Sequence, residues 1–410
     1  MDASPQVTYF FTTFPKESER FLQREVRFLG STLPRLRLVS IHQGGPQFEG
    51  RAVLCFSKWK LLHLLWRIPY WLARKPSAIL SLLGDLFRYP CPSFLNFQET
   101  LLGLAYALVE GPSLLFNAPR SWHHATWATT PASAALALYR LYDKPFSMEA
   151  HAYDIFVGEG DWLIRTKISE AAFIRTSTEA GRQRLLQLGA DPQKLHLIRR
   201  GMENPPTGLP PLSGENMPDL PLHLLSVGRF VPKKGLPFLL QILEALDRRG
   251  LSFEASIVGD GPLRSQLEQS LQVSGLTGRV HLPGFLSPDD LEARFSRATF
   301  LLFTGEVGPD GNRDGLPNVI PEAMASGTVV LTTDVGATTE AITDRKTGRV
   351  LPSGNPEAWV EALLDLQAQP ESYRALREEA HGWVHRNYRL DQNLPPLFKL
   401  LKDAHNADGS

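Results

Sequence analysis

Residues 313–327, RDGLPNVIPEAMASG, set Asp314 and Glu322 seven residues apart in an apolar stretch punctuated by Gly and Pro. Carboxylates are rarely buried without partners, so two at this spacing need something to hold. Upstream stand Gly228-Arg229, then Lys233-Lys234-Gly235, then Gly259-Asp260-Gly261-Pro262. Arg229 and Lys234 can set two positive charges over one spot. The Gly turns let backbone amides approach it, and helix starts near Leu236 and Val319 add dipole and free N–H groups. That combination describes an anion site sized for a diphosphate. A carboxylate is no phosphate ligand, but it accepts hydrogen bonds from hydroxyls. Glu322 is then expected to hold a ribose diol, and Asp314 to reach sugar hydroxyls across the diphosphate. Taken singly, each motif reads equally as a surface turn, a helix cap or a solvated loop acid; their order on successive elements argues for one shared site. The chain holds no Asp-x-Asp, so no metal bridge to the diphosphate is expected. Cationic side chains and helix amides would stabilise the leaving group instead.

The elements that must position these residues alternate between strand and helix. In the first half, 7–13, 51–57 and 173–177 read as strands. Residues 18–30 read as a helix capped by Ser18 and closed by Gly30. After a Pro-rich stretch the pattern restarts. Strands are expected at 222–230, 253–258, 279–285, 299–305 and 328–334, separated by helices such as 236–250. Regular βα alternation implies parallel, doubly wound sheets with ligands at the carboxyl ends of the strands. At 410 residues, two domains of roughly 200 residues are expected. The divisions are 1–205, a linker at 206–221, a second domain at 222–385, and a segment 386–410 returning to the first.

Composition is that of an ordinary soluble protein, 43% hydrophobic and 21% charged with zero net charge. The balance is uneven along the chain: 24 Lys and Arg against 16 Asp and Glu in residues 1–200, and 19 against 27 in residues 201–410. A basic half points to an anionic surface or substrate. Cys55 and Cys91 have neither metal nor disulfide-framework spacing, which fits a reducing compartment. The N-terminus lacks the pattern of a signal peptide. The segment 58–76, KWKLLHLLWRIPYWLARKP, mixes Trp, Leu and Tyr with Lys and Arg, and no acid occurs from Arg51 to Gly84. It reads either as a surface helix pair broken at Pro69, or as an element lying on anionic lipid.

The quoted motifs resemble those of the retaining nucleotide-sugar glycosyltransferases of family 4. SVGRFVPKKG is similar to that family's phosphate-binding turn, IVGDGPLR to its G-D-G-P turn, and DGLPNVIPEAMASG to its E-x7-E signature. TTDVGATTEAITDRKTGRVLPSGNPEAW is similar to its closing block. HHATWATTPASAALAL (123–138) and KPFSMEAHAYDIF (144–156) resemble the exopolysaccharide and colanic-acid-type subgroup. The resemblance implies the α/β GT-B architecture, two facing Rossmann-like doubly wound parallel-sheet domains with a cleft between them. It implies a retaining transfer from a nucleotide-diphosphate sugar to a glycan or lipid-linked oligosaccharide, with no metal and no cofactor. Catalytic roles fall on Asp314 and His151, and donor binding on Arg229, Lys234, Gly261, Leu286, Asn318, Val319 and Glu322. Ser18 and Glu19 stand where the subgroup places a Ser-Glu pair near the phosphates. Three departures stand out: Asp314 replaces a Glu, GATTE has lost one Gly, and the N-terminal loop lacks a glycine pair. The expected setting is cytoplasmic, peripheral on the inner face of the membrane through 58–76, with no nucleic acid as partner. A sugar phosphorylase or nucleotide-sugar epimerase on the same fold, or a non-catalytic membrane-associated relative, is the alternative.

Overall fold

The computed structural model describes residues 5–212 and 221–408, and the chain divides into two compact units. The first is Met1–Gly201 with Leu390–Ser410; the second is Met202–Arg389. Both are parallel-sheet α/β units, the expected fold class.

The first unit carries β1 (Gln6–Thr13), β2 (Arg35–Gln43), β3 (Gln47–Phe48), β4 (Arg51–Cys55), β5 (Trp122–Ala125), β6 (Phe146–Glu149), β7 (Ile174–Thr176) and β8 (Leu195–Leu197). Their order is β3-β4-β2-β1-β5-β6-β7-β8, parallel except for the β3–β4 hairpin at one edge. β1 is central and covered on both faces, so Val7 to Phe11 are all buried, with Thr8 among them, rather than alternating in and out. Phe10 packs with the helix Thr130–Tyr142, while Val7, Tyr9 and Phe11 pack with the helix Arg20–Thr32 on the opposite face. Leu390, Leu394, Leu397 and Leu401, spaced three or four apart, are buried against Leu22, Val26 and Leu29. Each such leucine contributes about 2 kcal/mol of transfer free energy, which ties the C-terminal helix Pro395–Asp408 to this unit.

The second unit carries β9 (Leu222–Val227), β10 (Phe253–Val258), β11 (Val280–Gly284), β12 (Phe300–Phe303), β13 (Val329–Thr333) and β14 (Arg349–Leu351). All its pairings are parallel, in the order β11-β10-β9-β12-β13-β14. Counted within the unit this is 3-2-1-4-5-6, the dinucleotide-fold order. Its strand connections reverse direction between β9 and β12, opening a crevice outside their carboxyl ends.

Several boundaries differ from the sequence expectation. The helix after β1 runs Arg20–Thr32, preceded by a single 3-10 turn at Glu17–Glu19, with no side-chain cap at either start. Gly30 lies inside it, and the chain exits only at Leu33. Pro69 does not break the 58–76 segment. The helix Leu64–Arg74 runs through it, because the one carbonyl left unpaired by the missing N–H lies on an exposed face. The break falls at Lys75, where Pro76 opens the next helix, Pro76–Arg88. Of the expected linker, 213–220 lie outside the described residues. The preceding residues belong to the second unit: the Pro206 and Pro210 carbonyls accept from His385 at 2.8 Å and Arg377 at 3.0 Å.

Candidate active site

The second unit brings its cations and its first acid together at the β9/β12 crevice. β9 ends at Val227, and a 3-10 turn, Pro232–Lys234, leads into Gly235 at φ 60°. A Cβ at Gly235 would lie 1.9 Å from the Thr304 carbonyl oxygen, so only glycine lets this turn seat on the end of β12. Thr304 Oγ1 donates to the Lys234 and Gly235 carbonyls at 3.2 and 3.1 Å, and the Glu306 amide donates to the Lys233 carbonyl at 3.0 Å. The Lys234 stem lies over Gly228, and its ammonium stands 5.1 Å from the Phe303 ring centroid.

Lys233 and Lys234 then reach Asp314 at 3.0 Å to Oδ1 and 2.7 Å to Oδ2. Lys233 also donates to Asn312 Oδ1 at 3.3 Å. Burial pushes the Asp314 carboxyl up, but the Lys234 and Lys233 ammoniums outweigh it and hold the carboxyl below its ordinary value. Behind it sits Gly336 at φ 63°, where a Cβ would lie 2.0 Å from the Asp314 carbonyl oxygen. The glycine kept in GATTE is therefore the one that lets the loop after β13 press on Asp314.

The remaining donor-side residues take different positions. Arg229 is exposed on the turn after β9. Gly261 lies against the Phe230 main chain, part of a turn in which the Phe230 amide donates to the Asp260 carbonyl at 2.9 Å. Asn318 is half-buried, its Oδ1 accepting from Tyr388 Oη at 2.7 Å. Val319 opens the helix Val319–Ala325, in which every residue but Glu322 is buried. Glu322 is thus the least buried side chain of this helix, and like Asp314 it is half-buried. Leu286 follows β11, the edge strand separated from β9 by β10; it is half-buried beside an exposed Phe285. Among the described residues no group of three or more His, Cys, Asp and Glu side chains could hold a metal ion.

In the first unit His151 follows β6 and is buried. Its Nε2 bonds Glu149 Oε2 at 2.7 Å, and its amide donates to Asp154 at 3.1 Å. Burial, with the Arg200 charge, lowers its pKa to about 4 against the opposing pull of Glu149. The neutral ring therefore donates from Nε2 to the carboxylate and keeps Nδ1 as an acceptor, which has no hydrogen-bond partner among the described residues. Trp127 meets the ring edge-on at 5.8 Å. Ser18 is exposed in the loop after β1; Glu19 accepts from Lys16 at 2.6 Å.

Several polar residues of this unit were not singled out by the sequence. Arg175 Nη1 donates to Glu149 Oε1 at 2.7 Å and to Glu25 Oε2 at 2.6 Å, and His124 Nε2 lies 3.2 Å from Glu149 Oε1. Burial pushes Glu149 up, but Arg175, His124 and His151 hold it well below the ordinary carboxylate value. Glu25 is pushed up to about 7, burial outweighing Arg175. The visible signal was a charge in each of two short strands, Glu149 at the end of FSME and Arg175 within IRT. A second cluster joins Tyr153 Oη to Glu99 Oε1 at 3.1 Å, beside Trp127 with ring centroids 5.7 Å apart.

Comparison with known proteins agrees with this geometry. Residues 215–383 match the family model described as Glycosyl transferases group 1. The amylovoran biosynthesis glycosyltransferase AmsK of Erwinia amylovora is 29% identical over 183 residues, 45% of this chain and 44% of its own. The chain thus matches less than half the length of that relative. The putative glycosyltransferase EpsF of Bacillus subtilis is 27% identical over 349 residues, 80% of this chain and 85% of its own. The crystal structure of Anabaena HepE in complex with UDP superposes with a TM-score of 0.69 at 15% identity, covering 97% of this chain and 100% of that one. The fold is that of the GT-B glycosyltransferases, and its second unit bears the sequence pattern of glycosyl transferases group 1 across the β9/β12 site.

Proposed function

We propose that the chain is a retaining glycosyltransferase of family 4, moving a hexosyl group from a nucleotide-diphosphate sugar to a glycan or lipid-linked oligosaccharide in cell-surface polysaccharide synthesis. The observation that carries this reading is the convergence of Lys233, Lys234 and Asp314 at the β9/β12 crevice, inside the segment that matches the glycosyl transferases group 1 model. In the free protein Asp314 neutralises the two lysines. A donor diphosphate replaces it as their partner, and Asp314 is released to accept hydrogen bonds from sugar hydroxyls. Arg229, exposed on the adjoining turn, adds a third cation, and Glu322 holds the ribose. Asn318, Val319, Gly261 and Leu286 line the donor, and Ser18 and Glu19 are proposed as residues of an acceptor or phosphate loop.

His151 brings an acceptor atom, Nδ1, suited to a hydroxyl. Front-face displacement needs little further acid/base chemistry, because the departing phosphate oxygen takes the acceptor's proton. Positioning and fixed charge then supply most of the rate enhancement. The lysines and arginine neutralise the leaving diphosphate, so the reaction is proposed to need neither metal nor cofactor. The names of AmsK and the UDP bound to HepE support a polysaccharide pathway and a nucleotide donor. The setting is cytoplasmic, at the inner face of the membrane.

The test is a panel of UDP-, GDP-, ADP- and dTDP-sugars assayed with a glycolipid acceptor in chelator. Acceptor-dependent release of nucleoside diphosphate and an anomeric configuration matching the donor's are expected. Inverted product, or free nucleotide without acceptor, refutes the reading.

A further inference from the structure

The surface that the sequence suggested at 58–76 is much larger in the folded chain. Among the described residues, fourteen of the nineteen exposed large apolar side chains fall between Trp59 and Leu101, so this face is not the ordinary scatter of surface leucines. It continues from Leu64–Arg74 into Leu80, Leu83 and Phe87 of Pro76–Arg88, and on to Phe94, Leu95, Phe97 and Leu101 of the helix Phe94–Asn117. Exposed apolar patches of more than a few hundred Å² mark an interaction surface. The charges bordering it are mostly positive. Residues 58–101 hold six Lys and Arg and two acids, Asp85 and Glu99, and Glu99 is half-buried with its Oε1 accepting from Tyr153 Oη at 3.1 Å. Asp85 is held by Arg140 at 2.6 Å. Arg67 and Arg74 lie against the Tyr70 ring, and Arg88 against that of Tyr89.

We infer that this face, residues 58–101, docks on an anionic phospholipid bilayer, with the apolar side chains of its three helices at the acyl boundary and Lys58, Arg67, Arg74 and Arg88 among the headgroups. Trp and Tyr bodies flanked by Lys and Arg are what an interfacial helix requires. No helix among the described residues is long and apolar enough to cross a membrane, so the contact is one of lying on the bilayer. A second copy of the chain fits less well. A two-fold self-contact sets the same patch against itself, and these cations would then face one another without carboxylates. The inference does not rest on the proposed reaction: the surface either binds lipid or does not, whatever sugar the enzyme moves.

The experiment is co-sedimentation of the full chain with phosphatidylglycerol-rich vesicles and with pure phosphatidylcholine vesicles. Binding to the first, at least about tenfold stronger than to the second, is expected from about fivefold per Lys or Arg. Trp59, Phe87 and Phe94 are 82%, 87% and 72% exposed, so Trp59→Ser/Phe87→Ser/Phe94→Ser should fold with an unchanged melting temperature and lose binding about tenfold or more. Lys58→Glu/Arg74→Glu should lose the preference for the anionic vesicles. The inference is overturned if the wild type ignores both vesicles or binds them equally, or if the serine variant binds as tightly as the wild type. It is overturned equally if light scattering shows a dimer that the serine variant dissociates.

Discussion

One guanidinium cannot neutralise two buried carboxylates, and the Glu25–Arg175–Glu149 cluster is the place where that can be measured. Glu149 has the stronger claim: besides Arg175 it receives hydrogen bonds from His124 and His151. Glu25 bonds Arg175 through Oε2, and among the described residues its buried Oε1 has no hydrogen-bond partner. Glu25 is accordingly the group that keeps a proton, titrating at about 7 rather than the ordinary 4.5. An acid whose folded pKa is raised costs stability as it ionises in the folded state. The folded protein binds more proton than the unfolded chain between pH 4.5 and 7, so stability falls as pH rises through that window. At 1.36 kcal/mol per pH unit, the loss reaches about 3 kcal/mol. The raw pH profile does not isolate it, because Glu99, also raised to about 7, adds the same slope. His123 and His151, lowered to about 3 and about 4, add the opposite one. The difference between Glu25→Gln and wild type removes these shared contributions. Near pH 5 the two should be equally stable within about 1 kcal/mol; by pH 8 Glu25→Gln should be the more stable by up to about 3 kcal/mol. Urea unfolding followed by Trp fluorescence reads the correct unit, since six of the eight Trp residues lie in it. A Glu25→Gln that is destabilised at pH 8 would refute the reasoning, because it would mean that Glu25 is the ionised partner and Glu149 carries the proton.

Three further outcomes follow from the site. Lys234→Ala should lower kcat/KM for the donor by about a hundredfold or more, and near-normal sugar transfer would remove Lys234 from the site. Gly336→Ala should cost on the order of 2 kcal/mol and most of the transferase activity, because its Cβ would fall 2.0 Å from the Asp314 carbonyl at φ 63°; a melting temperature and turnover matching wild type would disprove that packing. His151→Ala should reduce kcat by about a hundredfold, and the wild-type rate should show no histidine limb near pH 6.5, since burial holds His151 near 4; a limb there that vanishes in the variant would contradict the neutral assignment.

The two halves of this chain differ in how much of their chemistry the sequence displays, and the reason is distance along the chain. In the second unit the site residues lie in the loops that follow strand ends: Lys234 after β9, Asp314 after β12, Gly336 after β13. Parallel βα alternation brings those ends to one side, so motif order alone placed them together. What it did not show was that the lysines' resting partner is Asp314 itself, because that depends on side-chain reach across two loops. That Glu322 is the one half-buried residue of Val319–Ala325 likewise depends on packing that its spacing does not display. In the first unit the polar cluster joins a helix to the strands β6 and β7, and Glu25 lies 150 residues from Arg175. Local spacing cannot span that, yet the helix phase held a clue. Glu25 falls between Leu22, Val26 and Leu29 on the buried stripe of Arg20–Thr32, the positions i, i+3, i+4 and i+7 of an apolar face. A carboxylate on such a face demands a buried cation. The strand IRT offers one in Arg175, and the pairing follows from charge once the sheet order is known.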